Sequence, residues 1–229
     1  MADSKSALSR RNRKVAAIAA AAIVVGVGAT YTLASWNDSE WVWGGADGDP
    51  GLGTSSFEVQ QNTTAPYGDD AASWVDEEEN SGGSLTFSPG ALALTPGDTV
   101  FAPVALRTTA DSVAADVTLQ GAVAAAGAPA PQNDQALFDA VRVSVYTVAG
   151  TAPATACMTG FESTGWTTVL TDQPLTTLAT AAQSLAAAAG STQHYCFAIT
   201  LPQATADADL LQGLAISPAW EFSSVSSAP

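Results

Sequence analysis

After Gly83 the apolar and polar positions alternate with a period of two. Val100, Ala102, Val104 and Leu106 alternate with their neighbours, as do Val113, Ala115, Val117 and Leu119, whose opposite face carries Ser112, Asp116, Thr118 and Gln120. The pattern returns at Tyr195, Phe197, Ile199 and Leu201, and again at Leu214, Ile216, Trp220 and Phe222. Successive side chains of a strand point to opposite faces, so each set shares one face. Such sets predict sheets buried on one side and wet on the other. "RVSVYTV", 142–148, adds a further strand, and "SPG" at 88–90 and "TPGD" at 95–98 supply turn chemistry between strands. Many short alternating strands separated by Pro/Gly turns predict an all-β, antiparallel sandwich.

Two stretches break the alternation. "NDQALFDAV", from Asn133, opens on capping residues and spaces Leu137 and Val141 four apart, which predicts one or two helical turns. "PLTTLATAAQSLAAAAG", 174–190, is rich in Ala and ends in a Gly able to cap a helix. A second short helix is expected there, with an extended loop as the alternative.

The chain before the sandwich is different in kind. Lys5, Arg10, Arg11, Arg13 and Lys14 form a basic head, followed by an uncharged Ala/Val/Ile-rich run over 15–29. A basic head, an apolar stretch of that length and small residues behind it are the pattern of a secretory signal peptide. The run is marginal for a spanning helix, which needs about 20 strongly apolar residues. A retained anchor, its basic end in the cytoplasm, is the alternative. Arg10–Arg11 invites a twin-arginine reading, but Arg13 and Lys14 stand where that signal wants apolar residues. Small residues permit cleavage between Ser35 and Trp36, or one residue earlier. The chain thus divides into a signal peptide helix (1–35), an acidic, Gly-rich arm with a short strand at 57–60 (36–83), and the sandwich (84–229).

Removal of the signal changes the charge picture. Residues 36–229 keep only Arg107 and Arg142 as basic groups but lose only Asp3 among the acids, leaving two against twenty-one and a net charge of −19. Nucleic acid, bound through Lys and Arg neutralising phosphates, is excluded as a partner. Anionic membrane surfaces are repelled as well, which leaves the uncleaved signal as the one route to a membrane. The two cysteines, Cys157 and Cys196, would meet an oxidising compartment, so a single disulfide is expected. Two separate buried thiols are the alternative.

Chemistry is sparse. The one histidine, His194, has no G-x-S-x-G elbow beside it, and there is no H-E-x-x-H and no phosphate-cradling glycine loop. His194 falls on the strand face opposite Tyr195 and Phe197, where an ordinary exposed histidine is expected. A metal site with Cys196 lacks further soft ligands. The acids 76–79 read as a solvated loop. Asp47, Asp49 and Glu58 fit positions 1, 3 and 12 of an EF-hand-like count, but Gly51 replaces a ligand and Leu52 stands where the loop needs glycine. No catalytic role and no cofactor are expected; loose calcium coordination by the acidic loops is the one alternative.

The signal junction itself carries a resemblance. An apolar export segment ending in "LAS" and passing directly to "WND" resembles the TasA/camelysin family of bacterial surface proteins, processed by a dedicated SipW-type signal peptidase. Leu94, Pro96, Gly97 and Asp98 match that family's "L-x-P-G-D" turn. "WNDSEWVWGG", "SFEVQQNTT", "HYCFAITLP" and "LQGLAISPAWEF" are similar in character to the actinobacterial alternate signal-mediated exported proteins. The resemblance implies a jelly-roll-like sandwich, a SipW-type peptidase as processing partner, and a secreted matrix or surface-fibre subunit associating with itself or with related surface proteins. Some relatives carry a metallopeptidase label, for which this sequence has no zinc motif.

That resemblance gives the tryptophans of the arm a role. Trp36, Trp41 and Trp43 lie on an acidic, Gly-rich segment with no core of its own. They are expected either to fold back on their own sandwich or to be added as a strand to a neighbouring subunit, with the tryptophans filling pockets. A structural fibre subunit is the leading expectation. A ligand- or glycan-binding module, with aromatics such as Trp166 stacking on sugars, is the alternative.

Overall fold

Among the described residues ten strands form three antiparallel sheets. They are β1 Val59–Asn62, β2 Thr99–Thr108, β3 Ala115–Leu119, β4 Val123–Ala124, β5 Arg142–Ala149, β6 Thr167–Pro174, β7 Gln183–Leu185, β8 Thr192–Thr200, β9 Pro218–Ala219 and β10 Phe222–Ser226. The computed structural model describes residue 40 and residues 53–65, 67, 70–128, 134–150, 157–205 and 208–227. The chain divides into two units, Met1–Gly53 and Thr54–Pro229, and the sheets lie in the second. The expected signal segment, the junction at Ser35 and Trp36, the arm residues Trp41 and Trp43, and Asp47 and Asp49 lie outside the described residues.

The five-stranded sheet runs β1-β2-β8-β5-β6, and the three-stranded sheet runs β10-β3-β7. The alternation explains how they face each other. Val100, Val104 and Leu106 of β2, Tyr195, Phe197 and Ile199 of β8, and Val143 and Val145 of β5 form one apolar layer. Ala115, Val117 and Leu119 of β3, Leu185 of β7 and Phe222 of β10 form the layer against it. The result is the all-β antiparallel sandwich expected from the sequence. The expected helix is also present: α1, Gln135–Ala140, begins where the Asp134 carboxylate accepts from the amides of Ala136 and Leu137. The turn at 95–98 forms as well. Asp98 N–H donates to the Thr95 carbonyl at 2.9 Å, and Gly97 takes φ +101°, the left-handed value that follows Pro in a type II turn.

The Ala-rich segment is not a helix. Its chain extends through β7 and closes in a turn where Ala188 and Ala189 adopt φ of 55° and 54°. Left-handed alanine costs about 1–2 kcal/mol per residue, so something must hold it. The Thr108 hydroxyl, fully buried, donates to the Ala186 carbonyl and accepts from the Ala189 amide, while Ala188 N–H donates to the Ser112 carbonyl. Further back, Ala179 N–H donates to Leu119 and the Leu175 carbonyl accepts from Ala122. Partners in β2, β3 and the chain beside β3 therefore take the backbone groups that a helix would have paired internally, and helix propensity is a weak prior against that.

Beside this segment, Gly121 has no room for a side chain: a β-carbon there would fall on the backbone carbonyl of Thr176. Because backbone, not a flexible side-chain tip, is in the way, Gly121→Ala is expected to cost about 2–3 kcal/mol. Urea unfolding checks this, and a loss below about 0.5 kcal/mol would show that the 174–177 turn yields freely.

Candidate ligand cleft on the outer sheet face

The wet outer face expected for the five-stranded sheet is largely covered. All seven residues between the ends of β8 are buried, so this central strand is enclosed on both sides. "HYCFAI" already reads as a near-continuous apolar run, as doubly covered strands do. On the outer face the register aligns Pro103, Cys196 and Tyr146 in one row and Ala105, His194 and Val148 in the next.

One cover comes from the loop before β6. The Cys157–Cys196 disulfide pins it to the middle of β8, with a Cα–Cα distance of 5.4 Å. Of the two expected readings for the cysteines, the bonded pair is therefore the one formed. Phe161, just beyond, lies 5.8 Å from Phe101, 5.2 Å from Tyr146 and 5.5 Å from Trp166 between ring centroids. Trp166 is half-buried in this aromatic cluster, because Gly165 turns the chain back over the sheet.

The other cover comes from described residues between 54 and 91. Trp74 is buried under the Arg107 guanidinium, 4.1 Å from the ring centre, a cation–π arrangement. Ser88 runs beside β2, its amide donating to the Phe101 carbonyl and its hydroxyl accepting from the Phe101 amide. Tyr67 lies over His194 at 5.1 Å between ring centroids.

Between the two covers is a cleft of about 530 Å³ reaching down to His194 and Cys157. Trp166, Phe101, Pro89 and Met158 form apolar walls, and Thr63, Thr86 and Thr159 bring hydroxyls to its rim. None of the described residues lining it is charged, although the chain is strongly acidic.

His194 is 5% exposed, which corrects the exposed histidine expected from strand alternation. Alternation placed it on the outer face correctly; it could not show that another segment covers that face. Its Nε2 lies 2.6 Å from the Gly150 carbonyl, while Nδ1 is buried without a partner. The Tyr67 hydroxyl is buried without a partner as well. Burial pushes the Tyr67 phenol well above its ordinary range, so it stays protonated. Burial also pushes the His194 imidazole down, against the smaller opposing pull of the Gly150 carbonyl. Tyr67 was not anticipated from the sequence: a lone tyrosine in a Gly- and Asp-rich stretch gives no sign of its distant partner.

The lowered His194 value sets a pH dependence. The unfolded chain takes up its proton near pH 6.5, while the folded ring resists protonation until lower pH. Stability tied to the neutral ring is full above about pH 6.5 and is lost as pH falls toward the folded-state value. Urea midpoints are expected to drop between pH 7.5 and pH 5, and His194→Gln is expected to flatten that slope. Asp98, held below the usual carboxylate range by the Thr95 hydroxyl and amide, contributes its own loss only at more acid pH. Parallel slopes in wild type and His194→Gln would sink the assignment.

Among the described residues no group of three or more His, Cys, Asp or Glu side chains is placed to hold a metal ion. No described helix is long and apolar enough to cross a membrane. The fold and the cleft define an antiparallel β-sandwich whose disulfide-pinned aromatic loop covers one sheet. A disulfide of this kind fits an oxidising compartment. No family model and no curated protein matches the chain.

Proposed function

We propose that this chain is an exported structural subunit of a cell surface or extracellular matrix, which assembles by adding the arm of one copy, with Trp36, Trp41 and Trp43, to the sheet of the next. The observation that carries this reading is an open sheet edge. Among the described residues β6 pairs only with β5, leaving its other side as the end of the five-stranded sheet. The edge is long, eight residues, and its solvent-facing positions are mostly threonine.

Beside it a shallow groove of about 290 Å³ runs between β6 and the 177–180 turn, flanked by Val169 and by Leu178, which is 54% exposed. An unpaired edge is a template for another strand. Backbone bonds would give such a contact affinity, and the groove would take alternate side chains. A bulge at Asp172, which has φ 47° and donates its amide to the Ser144 hydroxyl, bends the far end of β6, and a second register shift falls between Leu170 and Thr168.

Charge opposes self-association of subunits at −19. At about 0.15 M salt the repulsion is screened beyond roughly 8 Å, so higher salt is expected to promote polymerisation. Deleting residues 36–43 is expected to leave a folded monomer that no longer polymerises. Circular dichroism melting and light scattering, with electron microscopy for filaments, check it. A truncated protein that still forms filaments overturns the arm's role; a truncated monomer that melts much earlier assigns the arm to its own core instead.

A further inference from the structure

The cleft over His194 holds two buried polar atoms with nothing to bond, and they differ in kind. With Nε2 and its proton directed at the Gly150 carbonyl 2.6 Å away, the neutral ring of His194, which lines the cleft, leaves Nδ1 as a bare acceptor. The Tyr67 hydroxyl brings a proton to donate. The two ring centroids are 5.1 Å apart, and both residues line the cleft. Leaving such groups buried and unpaired is costly, and a ligand satisfying both recovers that cost.

We infer that this cleft binds a neutral, polyhydroxylated ligand, a sugar unit, with one ligand hydroxyl donating to His194 Nδ1 and accepting from the Tyr67 hydroxyl. A carboxylate or phosphate offers acceptors only and would meet the Nδ1 lone pair with its own. The described lining residues supply no charge to hold an ion of either sign. Trp166 and Phe101 provide apolar faces for the C–H side of a sugar ring, and Thr63, Thr86 and Thr159 provide hydroxyls for its polar edge. The volume of about 530 Å³ falls in the range of roughly 300–1,000 Å³ that small-molecule sites occupy. A peptide strand is disfavoured because the backbone of β2 at the cleft is already engaged: Ser88 takes Phe101, and β1 takes 105–108. The inference is independent of assembly, since the cleft and the β6 edge share only the neighbourhood of Trp166 and the arm deletion leaves the cleft residues in place.

His194 is the one histidine of the chain, so its imidazole nitrogens give a single, assignable signal in nitrogen-15 spectra. The secreted protein is titrated with N-acetylglucosamine, cellobiose and maltose, with glucuronic acid as the charged counterpart. At least one neutral sugar is expected to shift the Nδ1 resonance saturably at millimolar concentration. Tyr67→Phe, which keeps the ring and removes the hydroxyl, is expected to weaken that binding about tenfold, as is Trp166→Ala. Melting curves of both variants must show them folded; if Trp166→Ala does not fold, Trp166→Phe replaces it. Absence of a saturable shift with every neutral sugar overturns the inference. So does binding that both variants leave unchanged, or equal binding of glucuronic acid. If Tyr67→Phe moves the His194 signal while no sugar does, the pair holds a structural water only, and the inference falls.

Discussion

Protein carrying Cys157→Ala and Cys196→Ala together is expected to unfold with about 4 kcal/mol less free energy than wild type, the chain-entropy value for opening a loop of this length. The sequence separation of the cysteines is 39 residues, and β6 and β7 both lie inside the loop they close. Each of those strands is held independently: β6 by β5 and β7 by β3. The part that depends on the disulfide is therefore the cover, 157–166, with Phe161 and Trp166 resting on the outer face. The Ala-rich segment also lies inside that loop, but its backbone bonds to Thr108, Ser112 and Leu119 hold it without the disulfide. Hydrogen exchange on the reduced protein is expected to show early loss of protection at 157–166 and at the cleft, with Gln183–Leu185 retained. Free thiols titrating in denatured, unreduced protein would rule out the bond itself.

Phe197→Ala is expected to cost a similar amount, about 3–5 kcal/mol. Phe197 is fully buried at the centre of the central strand, with Trp220 at 4.9 Å and Phe222 at 6.2 Å between ring centroids. Truncation removes its own burial, leaves a cavity between two sheets, and strips both partner rings of their contact, each such pair being worth about 0.5–1.5 kcal/mol beyond area. Trp220 and Phe222 flank the entry to β10, so the variant is expected to release β10 from β3 first, visible as a change in tryptophan fluorescence ahead of global melting. Phe101→Ala, on the opposite face of the same sheet, is expected to cost clearly less, because Phe101 is only half-buried under the cover. Equal losses at the two positions would mean that the aromatic cover, not the inter-sheet layer, is the principal core.

Alternation was a sound guide where a strand has one buried face. Val100 to Leu106, Val113 to Leu119 and Tyr195 to Leu201 name much of the inter-sheet layer, because a period of two can bury all its apolar residues only as a strand. The helix at α1 and the turn at 95–98 were legible for an equally local reason: Asp134 as a cap and Pro-Gly as a turn satisfy backbone groups within a few residues. The Ala-rich segment was not legible. Its fate was decided by the hydroxyl of Thr108, some eighty residues earlier.

The sequence by itself determined the class of fold, the two-faced strands, the single cysteine pair and the surplus of negative charge, since each depends on residue type and near spacing. Tertiary structure alone decided that the outer face of the five-stranded sheet is roofed, that β6 is an edge of that sheet among the described residues, and that Tyr67 and His194 meet. Those outcomes depend on which segments lie across one another. Such pairings are set by the packing of distant apolar surfaces and by the need to bond buried backbone, and neither leaves a periodic trace along the chain.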